Sequence, residues 1–161
     1  MHRIFFVSLL LCLAACAGNK PLSEESWRLI GKISIETQTE SRILGIDWNH
    51  SAGENTISLR GPLGLKVALI RTLGSKLTLS TGDVNVTYDD DSYALDNAGL
   101  GGLDIPWWHL ASWVRYGEPE VPRLANWQFQ VTEVSADGPV VMKLEHPDII
   151  IKLRVIRWEI P

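Results

Sequence analysis

Between residues 27 and 88 apolar and polar side chains alternate with a period of two, and the runs are joined by connections too short to hold a helix. That pattern restricts the fold more than any other feature. Trp27, Leu29, Ile33 and Ile35 alternate with Arg28, Lys32, Ser34 and Glu36, with Gly31 in the apolar register at a bend or close approach. The period recurs in Leu44-Ile46-Trp48, Ile57-Leu59, Val67-Leu69, Leu77-Leu79 and Val84-Val86-Tyr88. Connections such as 51–55, 73–75 and 81–83 suit hairpins, whereas parallel neighbours would need crossovers of a dozen residues or more. The expectation is a meander. Asp89-Asp90-Asp91 ends the strands, Gly99, Gly101 and Gly102 break the chain, and Pro106 opens a helix over Trp107 to Tyr116 that Gly117 and Pro119 stop. Strand periodicity returns in Trp127-Phe129-Val131, Val140-Met142-Leu144 and Ile149-Ile151-Leu153-Val155. With about nine strands, the fold class is mainly β with a helical insertion: a single strongly curved antiparallel sheet, an open or half barrel, covered by short helices.

The first residues carry a second signal. A basic start, Met1-His2-Arg3, precedes an apolar run from Ile4 to Leu13, and Leu13-Ala14-Ala15-Cys16 places small residues ahead of a cysteine. The run is too short for a mature transmembrane helix and fits a leader cut before a lipid-modified Cys16. The expected organisation is therefore a signal peptide over 1–15, a lipidated cysteine and tether over 16–22, and one domain over 23–161. Cys12 would leave with the leader and acylation would consume Cys16, so no thiol remains for a disulfide, metal or nucleophile. Each buried acyl methylene contributes about 0.8 kcal/mol, so several chains on one cysteine anchor firmly. Ala17, rather than Asp, follows the cysteine and by the Gram-negative sorting rule leans towards the outer membrane, on its periplasmic face. Removing residues 1–15, which hold one Arg and no acid, takes the formal charge from −4 to −5. That balance argues against nucleic acid or anionic headgroups as main partners and leaves apolar membrane contact as the expectation.

Candidates for catalysis are thin. His50, His109 and His146 are scattered without metal-ligand spacing. Asp89-Asp90-Asp91 lacks the spaced acids, turn glycine and terminal Glu of a calcium loop. Gly99 to Gly102 is followed by no phosphate-loop Lys-Ser/Thr. The chain is not expected to be an enzyme or to need a cofactor or metal. Apolar material stands out instead. In Gly61-Pro62-Leu63-Gly64-Leu65 the proline and glycines favour a tight reversal that either projects Leu63 or folds it onto the core. Burying an exposed leucine stabilises by about 1.5–3 kcal/mol, so a projecting Leu63 would seek an apolar partner. There are seven tryptophans, most expected in the core. Leu110 and Val114 share a helix face with Trp107 and should pack on the sheet, either as plain core or as the roof of a cavity for an apolar ligand.

Taken in order, Trp27-Arg28-Leu29-Ile30-Gly31-Lys32-Ile33, Gly45-Ile46-Asp47-Trp48, Gly61-Pro62-Leu63-Gly64, Ile105-Pro106, the run Leu110, Trp113, Gly117, Pro119, then Asn126-Trp127 and Lys152 to Trp158 resemble the LolB family of the lipoprotein-sorting pathway. The resemblance spans nearly the whole chain after residue 22. It implies an open antiparallel barrel covered by helices, with a hydrophobic cavity that receives acylated lipoproteins from the periplasmic carrier LolA. It further implies a protruding loop, here Pro62, Leu63 and Gly64, that pushes its leucine into outer-membrane phospholipid. On that reading Leu29, Ile33, Leu44, Ile46, Trp48, Leu59, Leu69, Trp113, Trp127 and Phe129 are the expected cavity lining. A one-to-one handover suits a monomer. The chain departs from the family pattern at 96–104, where glycines replace a helix, and between Pro119 and Trp127, where the family fits about one additional strand. Two other readings stay open: a tethered lipid- or partner-binding module of the same fold without transfer, and a structural envelope lipoprotein.

Overall fold

A computed structural model describes residues 26–88, 107–117 and 126–161. Cys16, the leader, the tether, the Gly99–Gly102 segment and the stretch between Pro119 and Asn126 lie outside the described residues, as do the side chains of Trp107, Trp108 and His109. Nine strands form one antiparallel sheet: β1 (Trp27–Thr37), β2 (Ser41–Ser51), β3 (Glu54–Arg60), β4 (Lys66–Leu73), β5 (Lys76–Thr81), β6 (Val84–Tyr88), β7 (Gln128–Ser135), β8 (Gly138–His146) and β9 (Ile149–Glu159). A single described helix, α1 (Trp107–Tyr116), lies between β6 and β7 in the chain. It ends where the sequence indicates: Gly117 takes a φ of +77° and its N–H donates to the Trp113 carbonyl at 2.8 Å.

The strand order is β6-β5-β4-β3-β2-β1-β9-β8-β7. The expected meander therefore holds within β1–β6 and within β7–β9, but the two meanders join through β1 and β9, the strands furthest apart in sequence. No pairing among the described residues links β6 to β7, so the sheet is open there. Gly31 explains how the seam closes. A bulge falls between Ile30 and Gly31 against β9, and a Cβ at Gly31 would overlap the Arg154 carbonyl oxygen, so only glycine fits the approach. The β2–β3 hairpin turns through Ala52 and Gly53, at φ values of 49° and 77°. This is the mirror-image turn whose twist matches its flanking strands.

Paired residues share a face, so register assigns the sides. Leu29 lies opposite Trp48, Ile33 opposite Leu44 and Leu153, Trp48 opposite Ile57, and Ile57 opposite Ile70. This is the inner face, and it supplies most of the core together with Ala111, Trp113 and Val114 of α1. The β3–β4 pairing carries a second bulge, with Leu59 opposite Ala68 but Arg60 opposite Lys66. The inner positions of β4 are consequently Ala68, Ile70 and Thr72. Leu69 lies opposite Ser58 and Ser80 on the outer face.

Candidate functional site

Curling one side of the sheet under α1 leaves a hollow of about 100 Å³. Strand walls come from Ile33, Ile35, Ile46, Trp48, Ile57, Leu59 and Ile70 on one flank and Phe129, Met142, Leu144, Ile151 and Leu153 on the other; Leu110 and Val114 of α1 form the roof, and Lys143 is the one charged residue at its border. The walls exist because each strand contributes every second residue to one face. The roof follows from helical spacing, which stacks Leu110 over Val114 on the side turned to the sheet.

Five of the ten residues expected at a cavity line this hollow: Ile33, Ile46, Trp48, Leu59 and Phe129. Leu29, Trp113 and Trp127 are instead buried in solid core at 0%, 2% and 7% exposure. Leu44 is half-buried on the inner face outside the hollow, and Leu69 faces outward because of the bulge. Ile35, Ile57, Ile70 and the β8–β9 residues complete the lining. For β8 and β9 the periodicity and their mutual pairing were legible, but the pairing of β9 with β1, which brings both strands to this wall, was not.

Polar arrangements on both faces of the sheet hold the walls and roof in place. Asn55 is 5% exposed, and its Oδ1 accepts from Trp48 Nε1 at 2.9 Å while its Nδ2 donates to Thr72 Oγ1 at 2.9 Å. His50 Nδ1 also lies 2.9 Å from Asn55 Oδ1 and must donate, because an amide oxygen only accepts. The His50 ring stacks on Trp27 with centroids 5.1 Å apart. At the roof, Arg115 donates to the Asp137 carbonyl at 2.7 Å and sits 5.4 Å from the Trp158 ring centroid, tying the end of α1 to the β7–β8 turn. On the outer face Arg28 grips Asp47 in a bidentate pair, both contacts at 2.8 Å, and reaches Glu159. The hydrogen bonds and charge of Arg28 hold the Asp47 carboxyl below its ordinary range against a desolvation cost. Lys152 and Ser34 likewise lower Glu36.

The β3–β4 connection projects. Gly64 N–H donates to the Gly61 carbonyl at 2.9 Å, closing a tight turn over Pro62 and Leu63, and Gly61 N–H donates to the Leu65 carbonyl at 2.9 Å. Gly64 carries the positive φ, +76°, so Leu63 keeps an unstrained backbone at the turn tip. Leu63 is 88% exposed. Leu65 is also exposed, as are Val67, which the period-two pattern put in one apolar register with Leu69, and Ile43 on β2, which the pattern did not single out. Among the described residues no group of three or more His, Cys, Asp or Glu is arranged to hold a metal ion. No described helix is long and apolar enough to cross a membrane.

A family profile described as outer membrane lipoprotein LolB matches residues 25–158. Curated relatives named outer-membrane lipoprotein LolB include one from Shewanella frigidimarina, 27% identical over 195 aligned positions covering 98% of this chain and 93% of that one. Another, from Chromobacterium violaceum, is 24% identical over 182 positions covering 99% of both chains. Among solved structures, a LolA superfamily protein from Nitrosomonas europaea superimposes with a TM-score of 0.52 at 8% identity, over 86% of this chain and 87% of that one. That likeness bears on the fold alone.

Proposed function

The chain belongs to the LolB family of outer membrane lipoproteins, and from that membership we propose that it receives acylated lipoproteins from the periplasmic carrier LolA and inserts them into the outer membrane. The observation that carries this reading is the pairing, on one sheet, of an apolar hollow with a rigid turn that exposes Leu63. Cys16 would carry the acyl anchor, and residues 23–161 would be the working domain, acting as a monomer.

The size of the hollow indicates how transfer proceeds. At about 100 Å³ it is smaller than the roughly 150 Å³ engineered cavity that takes one benzene, so it holds a few methylenes of an acyl chain. A few suffice. A tenfold preference over the carrier needs only about 1.4 kcal/mol, less than two methylenes at about 0.8 kcal/mol each. The acyl chain then leaves for the bilayer, where Leu63 and Leu65 each gain about 1.5–3 kcal/mol on burial in hydrocarbon.

The test is a two-step assay, with acceptance from the carrier and insertion into outer-membrane vesicles read separately. Leu63→Glu should accept cargo but fail to insert it, and Leu59→Lys in the hollow wall should fail at acceptance. Normal insertion by Leu63→Glu would refute the reading.

A further inference from the structure

One row across the outer face of the sheet, level with the root of the Leu63 turn, collects positive charge. Arg60 lies opposite Gly45, Gly45 opposite Lys32, and Lys32 opposite Arg154. Neighbouring strands are about 4.8 Å apart, so Lys32 and Arg154 are adjacent like charges, and Arg60 stands about 10 Å from Lys32 with only a glycine between them. Like charges placed directly opposite destabilise a sheet. The other outer-face cations of β1, β8 and β9 are matched: Arg28 with Asp47 and Glu159, Arg157 with Glu159, Lys152 with Glu36, and Lys143 with Glu145; Arg71, further off on β4, is exposed with no acidic partner among the described residues. Among the described residues Lys32 and Arg154 have no acidic partner, and Arg60 hydrogen-bonds only to the Gly64 carbonyl at 3.4 Å, its charge reaching Asp47 without an ion-pair contact. All three are exposed, in a chain whose net charge is −4.

The position of this row identifies its ligand. Arg60 immediately precedes the 61–65 turn and the exposed Lys66 immediately follows it, so cations bracket Leu63 and Leu65, with exposed Val67 and Ile43 close by. Apolar tips ringed by long cationic stems match a bilayer interface, where stems lie along acyl carbon and charged heads meet phosphate. An acidic protein surface would satisfy the charges but leave the leucines unmatched. We propose that Arg60, Lys32 and Arg154, with Lys66, bind the phosphate groups of anionic phospholipid and seat the outer face of the sheet on the membrane. The inference rests on the insertion reading of Leu63 and adds the lipid class to which the receptor docks. It departs from the expectation, drawn from net charge, that membrane contact is apolar alone, because the charges are segregated by face and only local charge acts within a Debye length.

The experiment is co-sedimentation of residues 16–161 carrying Cys16→Ala with phosphatidylcholine vesicles, with and without phosphatidylglycerol. At about fivefold per cation, Lys32→Gln with Arg154→Gln should weaken binding to the phosphatidylglycerol vesicles about 25-fold. Binding to phosphatidylcholine alone should not change, and at high salt the parent and the variant should bind the phosphatidylglycerol vesicles equally weakly. Removing two opposed cations should leave thermal stability equal or higher; if it falls, Arg60→Gln supplies the same comparison at about fivefold. Undiminished binding to phosphatidylglycerol vesicles would overturn the proposal, as would a loss confined to binding the carrier. Those results leave the insertion reading intact provided Leu63→Glu still blocks transfer, so the two ideas fail separately.

Discussion

Asn55→Ala should be among the most damaging polar-to-alanine substitutions in the described fold, although nothing in the sequence marks it. Trp48 is 2% exposed and Thr72 8%, and both have a hydrogen bond to the Asn55 side chain at 2.9 Å. Truncation leaves Trp48 Nε1–H and Thr72 Oγ1 without that partner where water does not reach, and each buried orphan costs about 1–3 kcal/mol. His50 is half-buried and can turn to solvent, so it adds little. The expected loss is about 2–5 kcal/mol. In urea, with a slope of about 2 kcal/mol per molar for a domain of this size, the unfolding midpoint should drop by roughly 1–2.5 M. Thr72→Val removes one acceptor and leaves the Trp48 bond, so it should cost about half as much. Because Trp48 forms part of the hollow wall, Asn55→Ala should also weaken cargo acceptance under conditions where the variant remains folded. A midpoint unchanged within error, at an unchanged slope, would refute the claim that this network holds the β2–β3–β4 wall.

Two further outcomes follow from the outer face and the seam. Arg28 depresses the folded-state pKa of Asp47, so the stability from this pair is present above the ordinary carboxylate range and is lost as pH falls through the lowered value. Asp47→Asn should therefore cost about 1 kcal/mol at neutral pH, as expected of a half-exposed bidentate pair, and in urea titrations the difference from the parent should shrink as pH falls below the ordinary carboxylate range. Gly31→Ala drives a methyl group into the Arg154 backbone and should cost at least about 2 kcal/mol in thermal unfolding, while Gly45→Ala, whose nearest neighbour would be Arg60 Cβ at 3.7 Å, should be close to neutral; equal effects would disprove the close approach.

The amino-acid order by itself determined the local terms of this structure. Period-two alternation, hairpin-length connections and the Pro106/Gly117 punctuation specify the nine strands and the helix of the described residues, because strand geometry, turn chemistry and caps are set by neighbours within a few residues. The exposed Leu63 turn belongs partly to this class, since Pro62 and the glycines fix the reversal; whether its leucine points out or in depended on what packs beneath it. Tertiary structure alone decided which strands meet and which residues surround empty space. Pairing β1 with β9 joins segments more than a hundred residues apart, and no local signal encodes that choice. A single-residue bulge at Val67 turned Leu69 out and Ile70 in, since one step along a strand reverses its face. Trp113, Trp127 and Leu29 have the same apolar character as the lining residues but occupy filled core. The Asn55 network and the Arg60–Lys32–Arg154 row arise in the same way, from side chains far apart in sequence that only the register of neighbouring strands brings side by side.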